Sequence, residues 1–207
     1  MVMEANSNNK KPVLIVIAGP NGSGKTSVTS KILNHEWIEN CVYINPDIVA
    51  QERFGDWNSM DAILQSVEYC EKWREQCLND KQSLIFETVL SAQDKVDFIL
   101  RALNSGFFVR IFFVCTETPI INASRIARRV MEGGHDVPIS KVISRYQKSI
   151  LNCKHIADKV DRLYLYDNSV ENKEAKLLIR FYEGKIMKQY VSDLPEWAKH
   201  IVIPICF

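Results

Sequence analysis

The chain has 207 residues, 46% of them hydrophobic and 25% charged, which excludes a disordered or fibrous protein and predicts one domain. Lys and Arg number 26 against 25 Asp and Glu, a net charge of +1, so no overall field draws the chain to nucleic acid or anionic lipid. No apolar run reaches the ~20 residues of a membrane span.

Residues 1–11 read as a polar tail with no hydrophobic signal core, and 12–207 as a single domain. The six cysteines, Cys41, Cys70, Cys77, Cys115, Cys153 and Cys206, form no CxxC pair and sit singly among apolar residues. They read as reduced structural thiols, which points to the cytoplasm.

Four apolar runs follow in chain order, at 13–18, 41–44, 83–86 and 109–115, with a fifth at 162–166. Their Val, Ile and Phe content is that of strands buried on both sheet faces. Between them lie helical patterns. Over 59–78 the spacing puts Met60, Ile63, Leu64, Val67, Cys70 and Cys77 on one stripe, and over 93–103 it aligns Val96, Ile99, Leu100 and Leu103 before a stop at Gly106. Alternating strand and helix predicts a three-layer α/β domain with a parallel sheet of about five strands. Glu183-Gly184 between two β-prone segments, 176–182 and 185–191, predicts a C-terminal hairpin rather than a continuous helix. A short helix is expected to open at Pro195.

Gly19-Pro-Asn-Gly-Ser-Gly-Lys25-Thr26 matches GxxxxGK[ST] directly after the first strand and before a helix. The glycines let the backbone amides and the helix N-terminus turn onto phosphate oxygens. The lysine reaches the terminal phosphates and the Thr26 hydroxyl offers a ligand to Mg²⁺. Gly19, Pro20, Asn21, Gly22, Ser23, Gly24, Lys25, Thr26 and Ser27 are therefore the expected ATP ligands. A GTPase is excluded. No DxxG occurs, and the nearest string to NKxD, Asn172-Lys173-Glu174-Ala175, lacks the aspartate.

Asp47 closes the second strand segment, where a carboxylate faces the ligand crevice and accepts an acceptor proton, or else caps the next helix. Glu87 and Thr88 end the third strand at the same sheet edge, as ligands of an acceptor or of Mg²⁺-bound water. Arg125, Arg128 and Arg129, with Arg145, fit the planar permanent cation that stabilises a phosphoryl group in transfer. Arg125, sharing a face with Arg129, is expected at the nucleotide. The alternative for at least one of them is a solvated helix face. Glycines 133 and 134 join the two Arg-bearing segments into an expected lid at about 118–154. His135 in that corner touches substrate or is held by local hydrogen bonds. Asn168 lies by the adenine or in a plain Asx turn.

Together AGPNGSGKT, NPD, FET, RRVMEGGHDVP, SRYQKSI and LYDNS resemble the zeta-toxin-like P-loop kinases, over about Val13 to Trp197. The resemblance implies a nucleoside-monophosphate-kinase-like fold, with ATP and Mg²⁺ as cofactors. It implies a small-molecule acceptor such as UDP-N-acetylglucosamine, phosphorylated on a sugar hydroxyl, and a small antitoxin as partner. By position it implies Lys25 and Thr26 for phosphate and metal, Asp47 as base, Glu87 at the acceptor, and Arg129 with Arg145 as lid arginines. The GGHDVP corner is similar to the compact branch of that family. Other acceptors, and a regulatory nucleotide-binding module, are the alternatives. Neither nucleic acid nor a membrane is expected as a partner.

Overall fold

The structure, a computed structural model, describes residues 11–55, 59–132 and 137–202. Its strands are β1 (Val13–Ala18), β2 (Val42–Ile44), β3 (Leu84–Thr88), β4 (Phe108–Cys115), β5 (Arg162–Asp167), β6 (Lys176–Tyr182) and β7 (Lys185–Gln189). They form one sheet in the order β2-β3-β1-β4-β5-β6-β7. The first five are parallel, and β6 and β7 add an antiparallel hairpin at the β5 edge. Both hairpin turn residues have positive φ, Glu183 at 47° and Gly184 at 73°. That backbone matches the twist of the flanking strands.

The helices are α1 (Lys25–Ile32), α2 (Pro46–Phe54), α3 (Met60–Asn79), α4 (Gln93–Asn104), α5 (Pro119–Met131), α6 (Ile139–Ala157) and α7 (Glu196–Val202). Central strand β1 explains the layering. Leu14, Val16 and Ala18 join one apolar cluster with residues of α2, α3, α4, α6 and α7. Ile15 and Ile17 join the other, beneath α1 and a 3-10 turn at Glu36–Ile38. Each such side chain, fully buried, contributes about 1.5–3 kcal/mol of transfer free energy. Among the described residues no helix is long and apolar enough to cross a membrane.

The stripe expected on α3 is wrong in its N-terminal half. Met60 is 70% and Leu64 62% exposed, and Val67 is also exposed. The inward face runs instead through Ala62, Ser66, Cys70, Arg74, Cys77 and Leu78. Here α3 packs against α2, and small side chains let two helices approach, so volume complementarity overrides the periodicity of the large apolar residues.

The expected lid at 118–154 is partly core. The second half of α6 buries Ile150 and Cys153. Ser149 Oγ donates to the Val89 carbonyl at 2.6 Å, and Asn152 Nδ2 to that of Leu90 at 2.9 Å. The glycine corner with His135 lies outside the described residues. Four of the cysteines are buried free thiols, Cys70, Cys77, Cys115 and Cys153, and Cys41 is half-buried. Burial pushes the Cys115 thiol up to about 12 and the Cys41 thiol to about 11, so both stay protonated. Cys206 and residues 1–10 also lie outside the described residues.

Candidate active site

The loop after β1 enters α1 through Gly24, a left-handed residue (φ 84°) that caps the helix without a side chain, and the first turn of α1 carries no acid. Among the described residues no side-chain cap and no first-turn acid occupies the helix N-terminus, which leaves its amides and partial positive charge for an anion. The Ser23 hydroxyl in the same loop is buried without a hydrogen-bond partner among the described residues.

Three neighbours brace the loop. The Gly19 amide donates to the Thr88 carbonyl at 3.1 Å, tying β1 to the end of β3. Asn122 of α5, fully buried, donates its amide to the Asn21 carbonyl at 2.6 Å and accepts from the Thr116 hydroxyl. Asn168 Nδ2 donates to the Ser23 carbonyl at 2.8 Å. A Cβ on Gly22 would lie 2.6 Å from the Asn122 carbonyl oxygen, and one on Gly24 would lie 2.1 Å from Asn168 Nδ2. Both glycines are needed because the braces come this close.

Lys25 Nζ donates to the Gly19 and Pro20 carbonyls at 2.9 and 3.1 Å. Burial pulls its ammonium down to about 8; Glu87 opposes this, while Arg129 adds to it. Arg129, Lys25 and Glu87 thus share one electrostatic environment. Arg145 Nη1 lies 3.4 Å from Asn21 Oδ1, which brings α6 onto the phosphate loop. Arg128 instead pairs with Glu171 on the surface, as the solvated-face alternative required. Arg125 stands half-buried on α5, one turn before Arg129. Thr26 and Ser27 are exposed on the first turn of α1.

Asp47 does not close a strand and does not cap. β2 ends at Ile44, and Asn45 is the N-cap of α2, its Oδ1 accepting from the Asp47 amide at 2.9 Å. Asn45 takes the cap, and Asp47 stands exposed on the first helical turn, its carboxylate without a hydrogen bond or ion pair among the described residues. Asp47 and Glu87 both act on the Tyr43 phenol, which burial pushes up. Glu87 Oε1 accepts from the Tyr43 hydroxyl at 3.0 Å and from Thr29 Oγ1 at 2.8 Å. That network turns Glu87 toward α1. The buried Thr88 hydroxyl accepts from the Leu90 amide at 3.0 Å. Between these walls opens a crevice of about 410 Å³. Pro46, Arg74, Glu87, Thr88, Lys95 and Arg145 are among the residues that line it.

Sequence reasoning missed Tyr43, Thr29, Asn122 and Arg74. The first three hold other site residues, and a residue that touches a ligand only through another leaves no motif. Asn168 was found, but its amide braces the phosphate loop, while Asp167 accepts from the Ser169 hydroxyl at 2.7 Å in the turn beside it.

The residues present fit a magnesium nucleotide. Among the described residues no cluster of three or more His, Cys, Asp or Glu could hold an ion alone. Mg²⁺ bound through phosphates, water and one hydroxyl needs no such cluster, and the exposed Thr26 would offer the hydroxyl.

Among solved structures the chain is similar to the AvrRxo1-ORF1:ORF2 complex, with a TM-score of 0.66 and 17% identity, covering 96% of this chain and 66% of that one. A structure of the same pair with ATP gives 0.63 and 16%, covering 93% and 63%. The PezAT chromosomal toxin–antitoxin system of Streptococcus pneumoniae gives 0.56 and 18%, covering 81% and 70%. The chain spans just under two thirds of the AvrRxo1 chains. No curated protein matches it. The zeta toxin family matches residues 2–182, nearly the whole described fold. With the phosphate loop braced in a parallel kinase-type sheet and an acidic residue on the facing wall, the chain belongs to the zeta toxin family.

Proposed function

We propose that the protein transfers the γ-phosphoryl group of ATP to a hydroxyl of a small acceptor, with a nucleotide sugar such as UDP-N-acetylglucosamine as the first candidate. The observation that carries this reading is that Glu87 and Arg145 line one crevice beside the phosphate loop, where Arg145 reaches Asn21 and Glu87 acts on Lys25, with Pro46, the neighbour of Asp47, on the same lining. A regulatory module that only bound nucleotide would need the phosphate loop and not that crevice.

Loop amides and Lys25 hold the β- and γ-phosphates, so Lys25 exchanges its carbonyl partners for phosphate oxygens. Mg²⁺, bound at Thr26, would neutralise charge on those phosphates. Asp47 accepts the acceptor's hydroxyl proton as that oxygen bonds to the γ-phosphorus. The bond from phosphorus to the β,γ-bridging oxygen breaks, and ADP leaves. Arg129 and Arg145 stabilise the equatorial oxygens of the group in transfer. Glu87, held by Tyr43 and Thr29, orients water or an acceptor hydroxyl. The names of the similar AvrRxo1 and PezAT assemblies describe two-protein complexes. A small antitoxin-like partner is proposed here on that likeness.

The test is ADP release from ATP and Mg²⁺ with and without UDP-N-acetylglucosamine, with Lys25→Ala as blank. Release that rises with the sugar nucleotide supports transfer to it. Release indifferent to it supports another hydroxyl acceptor. No release by protein that still binds ATP would overturn the reading.

A further inference from the structure

Arg74 is the anomaly of the cleft. It sits in the middle of α3, only 6% exposed, on the face turned into the fold. Its guanidinium lies 5.2 Å from the centre of the Phe86 ring. Among the described residues its one ion pair is to Glu71 Oε1 at 3.7 Å, too long for a hydrogen bond, and none of its five N–H donors has a hydrogen-bond acceptor. The same Glu71 oxygen is taken at 2.8 Å by Lys95 Nζ. One carboxylate therefore serves two cations and bonds only one of them. Burial pulls the Arg74 guanidinium below its usual range, while its nitrogens, which are not among the sealed polar atoms of the fold, face the open space that the residue lines.

The surroundings of Arg74 are open. It lines the acceptor crevice together with Glu87 and Arg145, and it also lines a second crevice of about 660 Å³ between α3 and α4. Glu71, Arg74 and Lys95 line both and form the wall that the two spaces share. A largely buried cation therefore faces open space beside Glu87 and Arg145.

Resting on the phosphotransfer reading above, we propose that Arg74, flanked by Lys95, binds an anionic group of the acceptor, such as a phosphate, remote from the hydroxyl offered to Asp47. Arginine suits this because its planar fork bonds two oxygens of one anion. Glu71 holds the place of that anion in the free protein and yields it as the ligand enters. Arg74 is a specificity residue in this account and takes no part in bond making.

The alternative is a structural arginine that covers Phe86 with its stem and ring contact. Anion binding separates the two. The full-length protein is saturated with a non-hydrolysable ATP analogue, so that the phosphate loop is occupied, and titrated with inorganic pyrophosphate by calorimetry. One further equivalent should bind, about tenfold or more weaker in Arg74→Met and less affected in Arg74→Lys. Glu71→Gln, a change at a half-exposed side chain, should tighten binding several-fold by removing the competing carboxylate. This second variant decides the matter if Arg74→Met fails to fold. No second equivalent in the wild type, or equal affinity in the wild type and Arg74→Met, would overturn the proposal, as would weaker binding in Glu71→Gln. Pyrophosphate binding needs no turnover. Binding without acceptor-dependent ADP release would therefore sink the phosphotransfer reading alone, and turnover without anion binding would sink this one alone.

Discussion

On the nucleotide wall of the cleft, residues 19–25 are bonded on every side: to β3 through the Gly19 amide, to α5 through Asn122, to α6 through Arg145 and to the β5 exit through Asn168. On the proposed acceptor wall Asp47 is exposed and, among the described residues, Arg74 has one long ion pair, while Met60 and Leu64 of the same helix as Arg74 lie in solvent. The first wall is preorganised for a ligand of fixed shape, a polyphosphate, whose binding gains from donors already in place. The second keeps polar groups open for an acceptor whose shape the fold does not dictate. On the proposed reading the first wall holds the nucleotide, while the second supplies the base and selects the acceptor.

The largest effects should come from the chemistry itself. Lys25→Ala should lower acceptor-dependent ADP release at least ~10²-fold. Among the described residues Lys25 Nζ bonds only the Gly19 and Pro20 carbonyls of its own loop, so the thermal melt should stay within a few degrees of wild type. Asp47→Asn should lower turnover about 10²–10⁴-fold with ATP affinity unchanged, since the residue stands on the acceptor wall. Undiminished turnover in that variant would remove the base assignment and with it the division of labour between the walls.

The bracing of the nucleotide wall can be broken more finely. Gly24→Ala should cost about 1–3 kcal/mol and weaken nucleotide binding, because a methyl there meets Asn168 Nδ2 at 2.1 Å on a left-handed backbone. Asn168→Ala removes the obstruction and the bond to Ser23. Added to Gly24→Ala it should therefore cost less than the sum of the single changes, which denaturant melts of the four proteins in the cycle would show. Strict additivity would mean that Asn168 does not press on the loop.

A smaller effect follows from the depressed Lys25 ammonium. Below pH 8 the lysine is charged in both native and unfolded chains. Between about 8 and 10.5 the unfolded chain holds the proton and the native protein does not. The nucleotide-free protein should thus gain stability with rising pH across that window, relative to Lys25→Met. Nucleotide affinity should fall over the same range as the cation is lost. Parallel stability curves for the two proteins would show that Lys25 is not enclosed.

What was legible in the sequence follows the same division. The phosphate loop is a contiguous string whose residue types are dictated by backbone shape and phosphate charge, and the strands buried on both faces announce themselves by composition. The hairpin was legible because Glu183-Gly184 needs a left-handed turn. The position of Asp47 was legible but its local structure was not, because Asn45 took the cap that an aspartate could equally have made. Arg74 was not legible at all. In a helix read by its large apolar residues, an arginine on the small-residue face looks like solvent-facing charge, and only packing against α2 and Phe86 shows otherwise.

The smallest predicted effect tests that last point. If periodicity alone set the inward face of α3, Leu64 would be core, and replacing it with a polar residue would cost the ~2–5 kcal/mol typical of a truncated buried leucine. Leu64 is 62% exposed, so Leu64→Gln should change stability by no more than ~0.5 kcal/mol. Val96→Ala, at a fully buried position of α4, should cost about 1–3 kcal/mol under the same denaturant titration. A Leu64→Gln loss as large as that of Val96→Ala would mean that α3 turns its large apolar stripe inward after all. Arg74 would then face solvent, and the acceptor wall would lose the cation on which its selectivity is argued.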